Sequence, residues 1–228
     1  MLDWSIHRKY MFDIIKDIYQ SPLKNSLWFK WWTLCYFLYW LDRFSTDLDF
    51  DLLNLDYKNI KPIVREILKK YWVIKDEYDK KFTIFFLLDY WKDEKNIKIE
   101  LSKKKSINDE YENINFYWTD IWAMKKNCIF ANKLMALHRR MKNRDLFDVY
   151  YFFKNDFPVK EILIEEQTWM SYQELLMKLK QEIPNKFNEK TLLAEVWDLV
   201  TEKQKNFIKT KLVKEVLWYI DFSLKFYK

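Results

Sequence analysis

Apolar residues recur at helical spacing through positions 1–19, interleaved with Asp3, Arg8, Lys9, Asp13 and Lys16, so the chain opens on one amphipathic helix. Ser21-Pro22 breaks it. Residues 26–30 form a short apolar run of strand character, and 33–39 resume as helix. The period changes at 47–53: Asp47, Asp49 and Asp51 fall on one face at two-residue spacing, and Leu48, Phe50 and Leu52 on the other, which is the mark of a half-buried strand. Residues 62–71 are predicted helical, 82–90 are a continuous β-prone run, and 96–102 alternate again with Lys98 and Glu100 on one face. Residues 113–124 fit one or two short strands. The rest reads as helix, with predicted segments at 128–141, 144–153, 171–182, 190–200 and a long one over 202–227. The chain is therefore α+β: a mixed sheet flanked by helices, expected within residues 1–155, followed by a C-terminal helical bundle over 156–228.

Composition adds an anomaly. Average usage of about 7% glycine predicts roughly 16 in a chain of this length, yet the 228 residues contain none, while tryptophan occurs 12 times. Several tryptophans stand at punctuation sites where a residue free to take positive φ is expected. Trp31 and Trp32 follow the first strand, Trp40 follows a helix, Trp72 follows the helical run 62–71, and Trp91 separates a strand from a charged turn. This pattern is the one expected of a gene whose UGA codons specify glycine and have been written as tryptophan. The competing reading is a tryptophan-rich protein whose 20% aromatic content serves a large core.

Lysine and arginine total 40 against 34 acidic residues, for a net charge of +6 and a pI near 9.0. That balance is compatible with an anionic partner such as RNA or a nucleotide. Cys35 and Cys128 lie far apart without a CxxC or Cys/His cluster, which disfavours a zinc site or a disulfide scaffold and suits a reducing cytoplasm. The opening helix is too charged for a signal peptide, and no window reaches the roughly 18 uncharged apolar residues of a membrane span.

The candidate chemistry lies in Lys30-Trp31-Trp32-Thr33 and in Asp47-Leu48-Asp49. Two carboxylates aimed at one point from a single strand repel one another unless cations sit between them, and hard oxygen donors select Mg²⁺. Glu100, on a second strand with the same alternation, is a candidate third ligand. A DxD by itself also describes many solvated strand residues. If Trp31 and Trp32 are glycines, the preceding turn would bring bare main-chain N–H groups to a phosphate at the start of the next helix.

Taken in order, these segments resemble the AbiEii-like nucleotidyltransferase toxins of type IV toxin–antitoxin and abortive-infection systems. The signature of that family is a Gly-Gly or Gly-Ser turn followed by Arg-x-Ser-x-Asp-hydrophobic-Asp, seen here as Trp31-Trp32-Thr33 with Arg43-Phe44-Ser45-Thr46-Asp47-Leu48-Asp49. Lys98-Ile99-Glu100 resembles the intervening strand motif. Lys133-Leu134-Met135-Ala136-Leu137-His138-Arg139-Arg140 and Arg144-Asp145-Leu146-Phe147-Asp148 resemble the two later motifs. The likeness spans about residues 4–155 and departs from the family pattern at Trp31-Trp32.

The resemblance implies a nucleotidyltransferase fold in residues 1–155. It implies that Asp47 and Asp49, with Glu100, hold one or two Mg²⁺ ions, and that Lys133 and Asp145 complete the catalytic set with the two aspartates. Lys30, Trp31, Trp32, Thr33, Arg43, Ser45, Arg144 and Asp148 would bind the NTP. It further implies transfer of NMP to RNA, the tRNA 3′ end in particular, and a cognate antitoxin protein as partner, in the cytoplasm and without a membrane. The basic residues Lys125, Lys126, Lys133, Arg139, Arg140, Lys142 and Arg144 would hold an RNA backbone. Plainer readings stand beside these: Lys133 as a surface lysine, Arg144, Asp145 and Asp148 as a helix-capping group, and Glu100 as a partner of Lys98. The acceptor is open between RNA, a small molecule and a protein. Genuine tryptophans at 31 and 32 would favour a non-catalytic RNA-binding relic.

Overall fold

The computed structural model describes residues 4–53, 57–90, 96–104, 106–188 and 191–226, so Trp91 lies outside the described residues. The chain divides into two compact units, Met1–Trp40 with Phe44–Met124, and Leu41–Arg43 with Lys125–Lys228. The expected boundary at 155 falls inside the second unit.

The first unit is built on one mixed seven-stranded sheet. Helix α1 (Trp4–Tyr19) buries His7, Met11, Ile14, Ile15, Ile18 and Tyr19, a stripe at three- and four-residue spacing. A single 3-10 turn, Pro22–Asn25, capped by Ser21, leads into β1 (Leu27–Lys30) and directly on into α2 (Trp31–Leu38). Strand β2 (Asp47–Leu52) is followed by α3 (Tyr57–Lys69), β3 (Val73–Lys80), β4 (Thr83–Asp89), β5 (Asn96–Ser102), β6 (Tyr111–Phe116) and β7 (Thr119–Met124). The strand order is β3-β4-β5-β2-β1-β7-β6, with β2–β5 and β1–β7 parallel and the other pairs antiparallel. Phe29, Leu48, Phe50, Ile97, Ile99 and Leu101 are fully buried, so the three strands that carry the candidate chemistry form the middle of the core. The Tyr19 hydroxyl fastens α1 to two of the strands: it accepts from Phe29 N–H at 3.0 Å and lies 2.9 Å from the carbonyls of Leu27 and Trp122.

Strand β3 has no counterpart in the hydropathy pattern. Its sequence VIKDEYDK is largely exposed and mixes both signs of charge, as suits a sheet edge that must not recruit another strand.

The second unit is helical: α4 (Lys126–Arg140), α5 (Asn143–Lys154), α6 (Glu161–Thr168), α7 (Tyr172–Lys186), α8 (Glu202–Thr210) and α9 (Leu212–Phe226). Reciprocal capping boxes start α7 at Ser171/Glu174 and α8 at Thr201/Gln204. Two expectations are corrected here. Residues 191–199 form turns and a 3-10 segment, Trp197–Leu199, instead of a helix over 190–200. The Asn143 side chain takes the carbonyls of Thr191 and Ala194 at 2.7 and 3.1 Å, and Glu195 is left-handed at φ 69, which stops helix propagation. The long helix expected over 202–227 is broken at Lys211, whose φ of −129 lies outside the helical well.

Candidate functional site

In the first unit, β-sheet register brings the charged residues together. Lys30 is opposite Asp49 in the antiparallel β1–β2 ladder, while Asp47 and Asp49 are opposite Lys98 and Glu100 in the parallel β2–β5 ladder. Asp47, Asp49, Asp51 and Glu100 thus share a sheet face with Lys30 and Lys98, four carboxylates against two ammonium groups. Both cations are engaged. Lys30 Nζ reaches diagonally to Asp51 Oδ1 at 2.6 Å, and Lys98 Nζ pairs with Glu100 Oε2 at 2.5 Å. The other oxygen of Asp51 accepts from the Tyr111 hydroxyl. The sequence shows Asp51 only as a third carboxylate on the β2 face and gives no sign of Tyr111, because their meeting depends on a diagonal register and on a residue far along the chain.

Asp49 takes no hydrogen bond or ion pair from any described residue. Burial, reinforced by the Asp47 carboxylate, pushes its carboxyl up to about 7, and Lys30 only partly offsets this. Excess negative charge and two hard oxygen donors make Asp47 and Asp49 a chemical fit for a divalent cation. Among the described residues, however, no group of three or more His, Cys, Asp or Glu side chains converges closely enough to hold a metal. Glu100, expected as third ligand, is held by Lys98 instead.

The β1–α2 turn lies beside this face. Lys30 is the N-cap of α2 and makes no side-chain capping bond, as expected of a residue with no acceptor, so no side chain of the cap takes up the first N–H groups of the helix. Thr33 Oγ1 is 2.8 Å from Ser45 Oγ and also bonds the Asp47 carbonyl, which ties the first turn of α2 to the start of β2. Both residues are buried, so their evident role is to fix the turn. Trp31 begins α2 at φ 67, with the Lys30 ammonium 5.2 Å from its ring centre.

The later motif residues meet in the second unit, together with Arg43. Asp148 is forked by Arg43, with Nε to Oδ1 at 2.6 Å and NH2 to Oδ2 at 2.7 Å, and Asp145 is forked by Arg140 at 2.6 and 2.9 Å. Lys133 Nζ joins the two, 2.6 Å from Asp145 Oδ1 and 2.7 Å from Asp148 Oδ2. Burial pulls the Lys133 ammonium down to about 8 against the opposing pull of both aspartates. Burial alone would raise the Asp148 carboxyl, but Arg43 and Lys133 outweigh it and hold it below the usual carboxylate range.

This corrects the reading of Lys133 as a surface lysine or an RNA-backbone contact. At 0% exposure with its charge shared between two carboxylates, it knits α4 to α5. Arg144 is the contrast. It has no ion pair among the described residues, and its Nε is buried without a hydrogen-bond partner. His7, on α1, lies 2.5 Å from the Tyr90 hydroxyl in the core.

Residues 13–222 match the family described as nucleotidyl transferase AbiEii toxin of type IV toxin–antitoxin systems. The chain belongs to that family and is a nucleotidyltransferase. No curated protein sequence matches it at significant similarity. Among solved structures it is similar to JHP933 from Helicobacter pylori, with 21% identity and a TM-score of 0.63 over 99% of this chain and 93% of that one. A second H. pylori structure, of a protein provisionally assigned as a nucleotidyltransferase, has 21% identity and a TM-score of 0.64 over 99% and 96%. An antigenic nucleotidyltransferase-like protein from Paracoccidioides brasiliensis has 13% identity and a TM-score of 0.52 over 83% and 93%. At these identities the structural likeness carries the fold. No helix among the described residues is long and apolar enough to cross a membrane.

Three substitutions test the charge geometry through stability. In urea denaturation of the metal-free protein, Asp51→Asn loses roughly 3–5 kcal/mol because it strips a buried ammonium of its partner. Asp49→Asn, which relieves carboxylate repulsion, gains on the order of 1–2 kcal/mol. Asp148→Asn loses roughly 3–5 kcal/mol at neutral pH. Because the folded-state carboxyl of Asp148 is depressed, its contribution is complete above the ordinary carboxylate range near about pH 4 and disappears as pH falls through the depressed value. The deficit of Asp148→Asn relative to the parent, read from urea midpoints, therefore shrinks on acidification.

Proposed function

We propose that the protein transfers NMP from an NTP to RNA in a Mg²⁺-dependent reaction, with the 3′ end of tRNA as the favoured acceptor. It acts as the cytoplasmic toxin of a pair whose antitoxin restrains it. The observation that carries this reading is the Asp47–Asp49 pair, whose charge is left unbalanced one strand away from the start of α2.

In this reading Asp47 and Asp49 would hold Mg²⁺, which would supply compensation of phosphate charge and a lowered pKa for the attacking hydroxyl. The main-chain N–H groups at the start of α2 face the NTP phosphates, where the helix dipole favours negative charge. Lys30, clamped by Asp51, supplies a fixed positive charge beside Asp49. Thr33 and Ser45 border the phosphates by holding the turn rigid. Arg43, Lys133, Asp145 and Asp148 act by positioning, since their charges are already satisfied, and they keep α4 and α5 in register. Arg144, whose Nε has no hydrogen-bond partner among the described residues, meets a phosphate. Such a mechanism depends on placement and charge compensation and uses no protein nucleophile. The net charge of +6 favours an RNA acceptor over a neutral small molecule.

The test is incubation of purified protein with NTPs radiolabelled at the α-phosphate and total RNA. Label is expected in a tRNA-sized band and is abolished by Asp49→Ala. Persistence of label with that variant overturns the mechanism, and label confined to a small molecule or to protein overturns the acceptor. Arg144→Ala is expected to fold normally and to raise the NTP concentration for half-maximal labelling roughly tenfold or more.

A further inference from the structure

The left-handed region of backbone space is costly for any residue with a bulky side chain, and glycine is its ordinary occupant. Among the described residues eight take positive φ, and four of those are tryptophan: Trp31 at 67, Trp40 at 57, Trp118 at 69 and Trp169 at 59. Tryptophan fills only 12 of the 228 positions and glycine none. Half of the left-handed backbone therefore falls to a residue type that has no reason to be there.

Each of the four stands where local geometry asks for glycine. Trp169 terminates α6 at φ 59, ψ 22, its N–H bonding the Glu165 carbonyl, which is the usual left-handed helix stop. Trp40 occupies the same kind of place one residue past the C-cap of α2, at Tyr39. Tyr117 and Trp118 are the two loop residues of the β6–β7 hairpin, closed by the Phe116–Thr119 pair. With φ of 45 and 69 both are left-handed, as a type I′ turn requires, and glycine is favoured at the second position. Trp31 makes the abrupt passage from β1 into α2.

Their surroundings agree. Trp40, Trp118 and Trp169 are 77%, 94% and 92% exposed, so three indoles gain nothing from burial to offset an unfavourable backbone. Trp28 and Trp122, by contrast, have ordinary φ and pack against one another, Trp28 also against Tyr111. Trp32 and Trp72, which read as glycine-like in the sequence, do not take positive φ. Backbone conformation thus separates one group of tryptophans from the rest.

We propose that positions 31, 40, 118 and 169 are glycine in the protein made by its own cells, encoded by UGA codons that this lineage translates as glycine. The turn between β1 and α2 then carries no indole at its first residue, and three exposed indoles leave the surface. Residue identity here does not depend on the phosphate-binding reading of that turn.

Two measurements test the proposal, and neither uses a nucleotide, so their failure is distinct from failure of nucleotidyl transfer. Peptide mass spectrometry of the protein purified from its native cells is expected to find glycine at all four positions, and tryptophan at any one of them overturns the assignment. In a host with the standard code, Trp40→Gly, Trp118→Gly and Trp169→Gly combined are expected to raise the thermal midpoint of the chain as written. Trp218→Gly, inside α9, is expected to lower it. A triple variant with an unchanged or lowered midpoint contradicts the backbone argument.

Discussion

The function proposed for this protein depends on the crowding of like charge along β2. Asp47, Asp49 and Asp51 must project to one face because a strand repeats every two residues, and the opposite face is committed to the core through Leu48, Phe50 and Leu52. The fold cannot relieve the repulsion by turning the strand without exposing that core. It relieves part of it with Lys30 on Asp51 and Lys98 on Glu100, and leaves the Asp47–Asp49 end only partly compensated. A site that destabilises its own protein in this way is a common price of function.

The second unit solves the opposite problem. Arg43, Lys133, Asp145 and Asp148 are buried as deeply as apolar side chains, yet each is paired: with the more exposed Arg140, two arginine forks and one shared lysine satisfy two aspartates. Such a network adds little net stability compared with an apolar core, but removing one member leaves buried charge less well compensated. The same family motifs therefore contain residues of two physical kinds. Asp47, Asp49 and Arg144 carry unspent electrostatic potential, whereas Lys133, Asp145 and Asp148 have spent theirs on one another.

Much of the first unit was legible in the sequence because its strands alternate cleanly: 47–53 and 96–102 announce themselves by period, and 26–30 and 82–90 by apolar runs. Strand β3 was not, since an exposed edge has no apolar face to show. Residues 191–199 mimic a helix in composition, but Asn143 captures their carbonyls from a distant part of the chain. At the site, the DxD was visible from spacing alone. The Lys30–Asp51–Tyr111 chain and the Arg43–Asp148 fork join residues far apart in sequence and needed the register and the packing. The glycine deficit was plain from composition, but Trp118 and Trp169 came to light only through a hairpin turn and a helix end that hydropathy does not mark.

The central claim is that Asp47 and Asp49 are a cation site and not merely a strained pair. Titration of Mn²⁺ into the protein, followed by loss of the free-ion electron paramagnetic resonance signal, tests it most directly. The account predicts saturable binding by the parent chain that is abolished in an Asp47→Asn/Asp49→Asn double variant and retained in Glu100→Gln. Equal Mn²⁺ binding by the parent and the double variant would contradict it.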